Sequence, residues 1–378
     1  MRVAIGQFGG PTPVLNASLF GALEVFAAAG GEARGVRGGA RGLEAGDLLP
    51  LDGPPQHWLL EAPGAALGAG RHRLDAEGLD RALQALRRAQ CDALLVCGGN
   101  GTMALGAALA DAAARSGAPL LVAGVPKTID NDIEGTDHSP GYPSAATFVA
   151  RAFRDLGTDL RAMAGFEDIR LVEVMGRDAG WLCGAAALAR AHPADMPQLV
   201  LLPEVPVDPQ ALAEEVRRLH ARDGSVLVAV AEGVRTADGR RPGAGALDAA
   251  GRRPVLGGAA RTLAEVLRAR LGLAVRGESL AFLPRCLASA ATALDRSEAR
   301  RLGRRAAREL LAGRGGVMAA LAPRAAGETR GAIRCVPLSD VAGRDRPLPP
   351  GMRDLGPAFA AWLAPLLDLP RPWPRVTW

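Results

Sequence analysis

Residues 124–132, Gly-Val-Pro-Lys-Thr-Ile-Asp-Asn-Asp, place a lysine, a hydroxyl and two carboxylates within six positions. The apolar run before them, 119–125, has the pattern of a buried parallel strand. It breaks at Pro126, so Lys127, Thr128, Asp130 and Asp132 fall on a loop at the strand's carboxyl end. Open α/β sheets collect their ligands at that edge. There one carboxylate can take a proton while the other holds a divalent metal, as phosphoryl transfer requires. Solvated turns also collect Asp and Asn, so the loop alone leaves both readings open. Composition adds weight: Lys127 is the only lysine among 45 Lys and Arg, and Tyr142 is the only tyrosine. A lysine in so arginine-rich a chain points to a need for a compact ammonium rather than a planar fork.

Three further stretches carry similar chemistry. A first strand, 2–8, runs into Gly9-Gly10-Pro11-Thr12 and a helix over 14–29, a layout in which bare amides face an anion. A strand over 93–96 opens into Gly98-Gly99-Asn100-Gly101-Thr102, followed by a helix over 104–116. Its glycines let backbone approach a polyphosphate, and Asn100 and Thr102 offer hydrogen bonds. Arg71, His72 and Arg73 sit on a third glycine loop, either as anion ligands or as a solvated charge cluster. No Walker loop occurs, and Gly9-Gly10-Pro11-Thr12 is not the G-x-G-x-x-G turn of a dinucleotide-binding dehydrogenase.

Strands and helices alternate through the remainder. Helices are expected over 79–89, 144–156, 209–221, 261–271 and 294–311, and strands over 170–174, 198–202, 225–230 and 316–321. The segment 30–56 reads as loops with one short strand, 235–257 as a mobile insertion, and 352–367 as helical. The pattern is that of an α/β protein with two three-layer αβα, Rossmann-like domains and a cleft between them. With 378 residues, 48% of them hydrophobic, the chain is globular. A net charge of +5 with 4% aromatics favours anionic small molecules over nucleic acid. Five scattered cysteines without metal spacing, no signal segment and no span-length apolar run suggest a soluble cytoplasmic protein away from membranes.

These loops, in this order and spacing, resemble the phosphofructokinases from residue 2 to about 321. The anchors are Gly9-Gly10, Gly98 to Gly101, 126–132, Met175-Gly176-Arg177, Glu232 and 276–285. The opening 7–12 and the stretch 137–141 look closest to the branch that contains many pyrophosphate enzymes. The resemblance implies a 6-phosphofructokinase, a glycolytic enzyme using Mg2+ and working as a homodimer or homotetramer. Asp130 would be the base for the 1-hydroxyl of fructose 6-phosphate, with Thr128 in the same loop and Lys127 at the donor's departing end. Asp132 and Asn100 would lie at the metal. Gly9, Gly10, Arg71 and the 98–102 loop would take the donor; Met175, Gly176, Arg177, Glu232, Arg276 and Arg285 would hold the sugar phosphate. By the same resemblance, 1–137 with about 286–335 binds the donor, 138–285 the sugar phosphate, and 336–378 is an extension.

Departures from the family pattern bear on the donor and the acceptor. Asn100 stands where many members have aspartate, Asp168 where ATP enzymes of bacteria have an arginine, and Phe282 where His or Tyr is usual. Glycine at 101 goes with ATP and lysine at 127 with pyrophosphate, so the sequence is mixed. Gly101 leaves room for an α-phosphate, which favours ATP, with pyrophosphate or both donors as the alternative. A non-catalytic homologue is the lesser reading, since Asp130 and Asp132 are both present.

Overall fold

The apolar runs and helical periods fold, in chain order, as β1 (Arg2–Gln7), α1 (Val14–Ala28), β2 (Glu32–Val36), α2 (Ala40–Ala45), β3 (Leu48–Pro50), α3 (Ala76–Arg88), β4 (Ala93–Gly98), α4 (Asn100–Arg115) and β5 (Leu121–Pro126). The chain continues through α5 (Tyr142–Ala162), β6 (Ile169–Val174), α6 (Trp181–Gly184), β7 (Leu199–Leu201), α7 (Pro209–Asp223), β8 (Val226–Ala231), α8 (Ala259–Leu271) and β9 (Val275–Ser279). It closes with α9 (Leu283–Cys286), α10 (Ala293–Leu311), β10 (Val317–Leu321), β11 (Ile333–Pro337), α11 (Leu338–Val341) and α12 (Pro357–Leu363). The computed structural model describes residues 1–51, 53–247, 255–325 and 327–371, so 248–254 of the expected insertion lie outside the described residues.

The chain divides into two units, Met1–Ser144 with Arg285–Arg346, and Ala145–Pro284 with Pro347–Trp378. Residues 336–378 are thus not one appendage. The part to Arg346 belongs to the first unit and the remainder to the second.

The first unit is built on a seven-stranded sheet of order β11-β10-β5-β4-β1-β2-β3. Its five inner strands are parallel, and β3 and β11 close the edges antiparallel. Successive residues of a strand face opposite layers. Ile5, Leu95 and Val125 pack on α1 and α10 through Leu15, Leu19, Leu302 and Leu310. Ala4, Leu94 and Val122 pack on α3, α4 and α11 through Leu86, Met103 and Leu338. Helices α1 and α10 touch because Gly21 and Gly303 face each other's partner backbone. A Cβ at either would stand 2.1 Å from a carbonyl oxygen.

The second unit carries a wholly parallel sheet of order β7-β8-β6-β9. Ile169, Leu171, Val228 and Val230 pack on α7 and α8, while Val172, Val174, Leu227 and Ala229 are buried on the other face. After Pro347 the chain adds Phe359 and Trp362, whose rings lie 6.5 and 4.7 Å from that of Trp181. The expected α/β class is therefore what the structure shows. Among the described residues no helix is long and apolar enough to cross a membrane.

Candidate active site

Strand register sets the site in the first unit. Gln7 pairs with Cys97, Cys97 with Val125, and Gly98 with Pro126. The turns after β1, β4 and β5 therefore end level with one another. The chain order reverses between β1, which leads to β2 on one side, and β4, which leads to β5 on the other. Such a reversal opens a crevice at the carboxyl edge of a parallel sheet.

Lys127 occupies the centre of this row. Its backbone N–H donates to Gly98 O at 2.9 Å, and its Nζ donates to Gly10 O at 2.6 Å. The side chain is 3% exposed. Burial, then the Arg285 and Arg71 guanidinium groups, push its ammonium down to about 8. Both arginines also close on Gly10, where a Cβ would lie 3.2 Å from an Arg285 nitrogen and 3.5 Å from one of Arg71. Gly9 has a positive φ of 77° and donates its amide to Gly70 O at 2.9 Å, which ties the first turn to the arginine loop. His72 instead lies 2.8 Å from Glu44, whose carboxylate also holds Arg81, so it faces away from this row.

The second glycine turn is shorter than the sequence suggests. Helix α4 starts at Asn100 rather than at 104, and Gly99 is its cap. Gly98 is required by packing, since a Cβ there would stand 2.2 Å from the Thr102 hydroxyl. Thr102 is buried against that turn. A Cβ at Gly101 would meet nothing within 4 Å.

On the β5 loop the Asp130 N–H donates to Thr128 Oγ1 at 3.1 Å, and Thr128 hydrogen-bonds Asp132. Burial raises the Asp132 pKa against that bond. The Asn100 amide nitrogen donates to Asp132 O at 2.8 Å and to Asp345 Oδ1 at 2.7 Å. Asn100 Oδ1 and Asp132 Oδ1 are left buried with no hydrogen-bond partner. Two hard oxygens fit Mg2+, which takes one or two protein oxygens and completes its shell from phosphates and water. Asp345 and Arg346, whose N–H donates to Asp132 O at 2.8 Å, were not singled out from the sequence. They lie in a Pro- and Arg-rich tail with no periodic pattern to mark them.

In the second unit, Met175, Gly176 and Arg177 follow β6, and Glu232 follows β8. The two turns are bonded together: Gly176 N–H to Glu232 Oε1 at 3.4 Å, and Gly233 N–H to Gly176 O at 3.1 Å. Arg276 is not with them. It pairs across the sheet with Arg170, near the start of β6. That is roughly 16 Å of strand from Met175, at about 3.3 Å per residue. Its guanidinium is ion-paired to Glu167, which also holds Arg170 at 2.6 Å. Arg285 lies in the first unit, beside Gly10.

A level row of glycine turns around a buried lysine and paired carboxylates is the equipment of a phosphotransferase on an open α/β sheet. A model of the family described as Phosphofructokinase matches residues 2–310. The chain is similar to the sulfofructose kinase of Alkalicoccus urumqiensis, with 36% identity covering 98% of this chain and 96% of that one. It is 31% identical to the pyrophosphate–fructose 6-phosphate 1-phosphotransferase of Rhodospirillum rubrum, covering 97% and 94%. The solved pyrophosphate-dependent phosphofructokinase of Marinobacter aquaeolei superposes with a TM-score of 0.85 at 25% identity, covering 100% of this chain and 95% of that one. The protein belongs to the phosphofructokinase family and is a phosphotransferase.

Proposed function

We propose that this enzyme transfers a phosphoryl group to the 1-hydroxyl of fructose 6-phosphate, with Mg2+ and with ATP as the donor. The observation that carries the reading is the convergence of Lys127, Gly10, Arg71 and Arg285 beside the loop bearing Asp130 and Asp132. Asp130 takes the proton of the attacking hydroxyl. Asp132 and Asn100 would hold Mg2+ through their orphaned oxygens, and the bound ion would supply charge neutralisation at the donor phosphates. The cations and the amides of Gly10, Gly99 and Gly101 stabilise charge spread over the transferred group, whereas the Gly9 amide is already donated to Gly70 O. Open space at Gly101 leaves room for an α-phosphate and so favours ATP. Lys127 supports pyrophosphate as a second reading, because its ammonium serves either leaving group. In the second unit Met175, Gly176, Arg177 and Glu232 receive the sugar.

A specific observation favours a second acceptor. The chain is 36% identical to a sulfofructose kinase over 98% of its length, and Asp168 stands where, by the resemblance, bacterial ATP enzymes of the family place an arginine that reaches the sugar phosphate. The local positive charge is thereby reduced, which suits a sulfonate with one negative charge better than a phosphate with two. Sulfofructose is such an acceptor. The deciding experiment offers purified protein fructose 6-phosphate or sulfofructose, each with ATP and with pyrophosphate. Turnover of neither sugar with either donor sinks the reading.

A further inference from the structure

Behind the β5 loop lies a group of charged side chains to which the proposed chemistry assigns no role. His138 is fully buried. Its Nδ1 lies 2.9 Å from Asp137 Oδ2 and its Nε2 lies 2.7 Å from Glu298 Oε2 on α10. A neutral imidazole has one N–H and cannot donate to both carboxylates, whereas an imidazolium donates to each. Arg324, after β10, donates to the same Asp137 oxygen at 2.7 Å, so that carboxylate is held from two sides.

The neighbours of this bridge all hold the same loop. Asp295, one turn before Glu298 on α10, accepts from the amides of Gly141 at 2.9 Å and Ser144 at 3.1 Å. Arg346 donates to Thr136 O and, at 3.0 Å, to Asp137 O. Thr128 N–H donates to Pro140 O at 3.1 Å, and Ser139 N–H to Asn131 Oδ1 at 3.0 Å. The segment 128–132 is thus laced to 136–141, and 136–141 is fastened to α10. Tyr142, fully buried beyond Gly141, is a further titratable group at this end, and Glu134 acts on Arg346 there.

We propose that His138 is a positioning residue for phosphoryl transfer: as an imidazolium bridging Asp137 and Glu298, it ties the loop that carries Lys127, Thr128, Asp130 and Asp132 to α10. The inference rests on the reading of that loop as catalytic, whereas the bridge itself stands on its geometry. Burial alone would drive the imidazole neutral, but the hydrogen bonds and charges of Asp137 and Glu298 outweigh it and raise the pKa above the ordinary histidine value. The stabilisation is therefore complete below the unfolded value, about 6.5, and is lost as pH rises through the folded one. A displacement of the base by about 1 Å costs on the order of 100-fold in rate.

The test uses the full chain and two variants. Nitrogen NMR of the ring at pH 7 is expected to show both nitrogens of His138 protonated. Amide exchange of 127–141, corrected for its intrinsic pH dependence, is expected to rise about tenfold or more at alkaline pH. In Glu298→Gln the amide donates to a neutral imidazole, so the loop is expected to stay protected and the pH response to flatten. His138→Gln is expected to lower kcat about tenfold or more, with KM for both substrates within about threefold. An unprotonated ring nitrogen at pH 7, or exchange with the same pH response in the parent and Glu298→Gln, overturns the proposal. So does a folded His138→Gln enzyme with the parent's kcat. If His138→Gln does not fold, the NMR and Glu298→Gln arms decide alone. Absence of any phosphotransfer would defeat the functional reading and leave those two arms intact.

Discussion

The sole lysine offers the sharpest test, because stability and activity should move in opposite directions when it is removed. Lys127 is 3% exposed, and burial with Arg285 and Arg71 nearby brings its pKa from 10.5 to about 8. At roughly 1.4 kcal/mol for each pH unit, that drop corresponds to about 3 kcal/mol against the folded state when the ammonium is charged. Below pH 8 the group is charged in both states and the full cost applies. As pH rises from 8 to 10.5 the folded form loses its proton first and the cost fades. Lys127→Met removes the buried charge but also the 2.6 Å bond to Gly10 O, worth about 1 kcal/mol, leaving a net gain of about 2 kcal/mol at neutral pH. At about 2–4 °C per kcal/mol for a domain of this size, the melting midpoint of the first unit should rise by about 4–8 °C at pH 7, and by much less at pH 10. Activity should fall about 10²-fold or more, the usual worth of one donor aimed at developing charge. Calorimetry at both pH values and a coupled kcat measurement check the two halves. A variant no more stable than the parent at pH 7, or equally stabilised at pH 10, would show that burial of the ammonium does not oppose folding.

The same ammonium predicts that kcat/KM for the donor declines above about pH 8, since that ratio reports the free enzyme. Bound phosphates raise the lysine pKa, so kcat at saturation should hold to higher pH. Asp130→Asn is expected to lower kcat by about 10²–10⁴-fold with little change in sugar-phosphate binding; near-normal turnover would assign the proton to another group. Asp168→Arg restores positive charge at that position and is expected to raise kcat/KM for fructose 6-phosphate relative to sulfofructose. An unchanged ratio would show that position 168 does not read the C6 group. Gly101→Asp is sterically permitted, because its Cβ meets nothing within 4 Å. Its carboxylate would oppose an α-phosphate by about 4 kcal/mol at roughly 4 Å, so the ATP-to-pyrophosphate ratio of kcat/KM should collapse; a constant ratio would remove the ground for favouring ATP.

The parts of this protein that were legible in its sequence are those whose physics is local. Strands β4 and β5 are unbroken apolar runs because both faces of their parallel sheet are covered. Loss of that pattern at Pro126 marks the loop that carries Lys127 to Asp132. Residues 30–56 hold two strands where one short strand was expected, and β2 is hard to place because Glu32, Arg34 and Gly35 interrupt its apolar character; a Cβ at Gly35 would stand 2.7 Å from Leu67. Strand β11 was missed because an antiparallel edge tolerates Arg334 and Pro337. Non-local partners were beyond reach. Nothing in the order of residues says that Asp345 would bind the Asn100 amide, yet that bond turns the amide oxygen into the orphaned atom beside Asp132. Nor does spacing show that Glu167 is paired with Arg276. At each of these points the family likeness supplies a residue type but not the partner it meets within the chain. The oxygens left over at Asn100 and Asp132 are therefore set by partners far away in the chain, which the order of residues does not show.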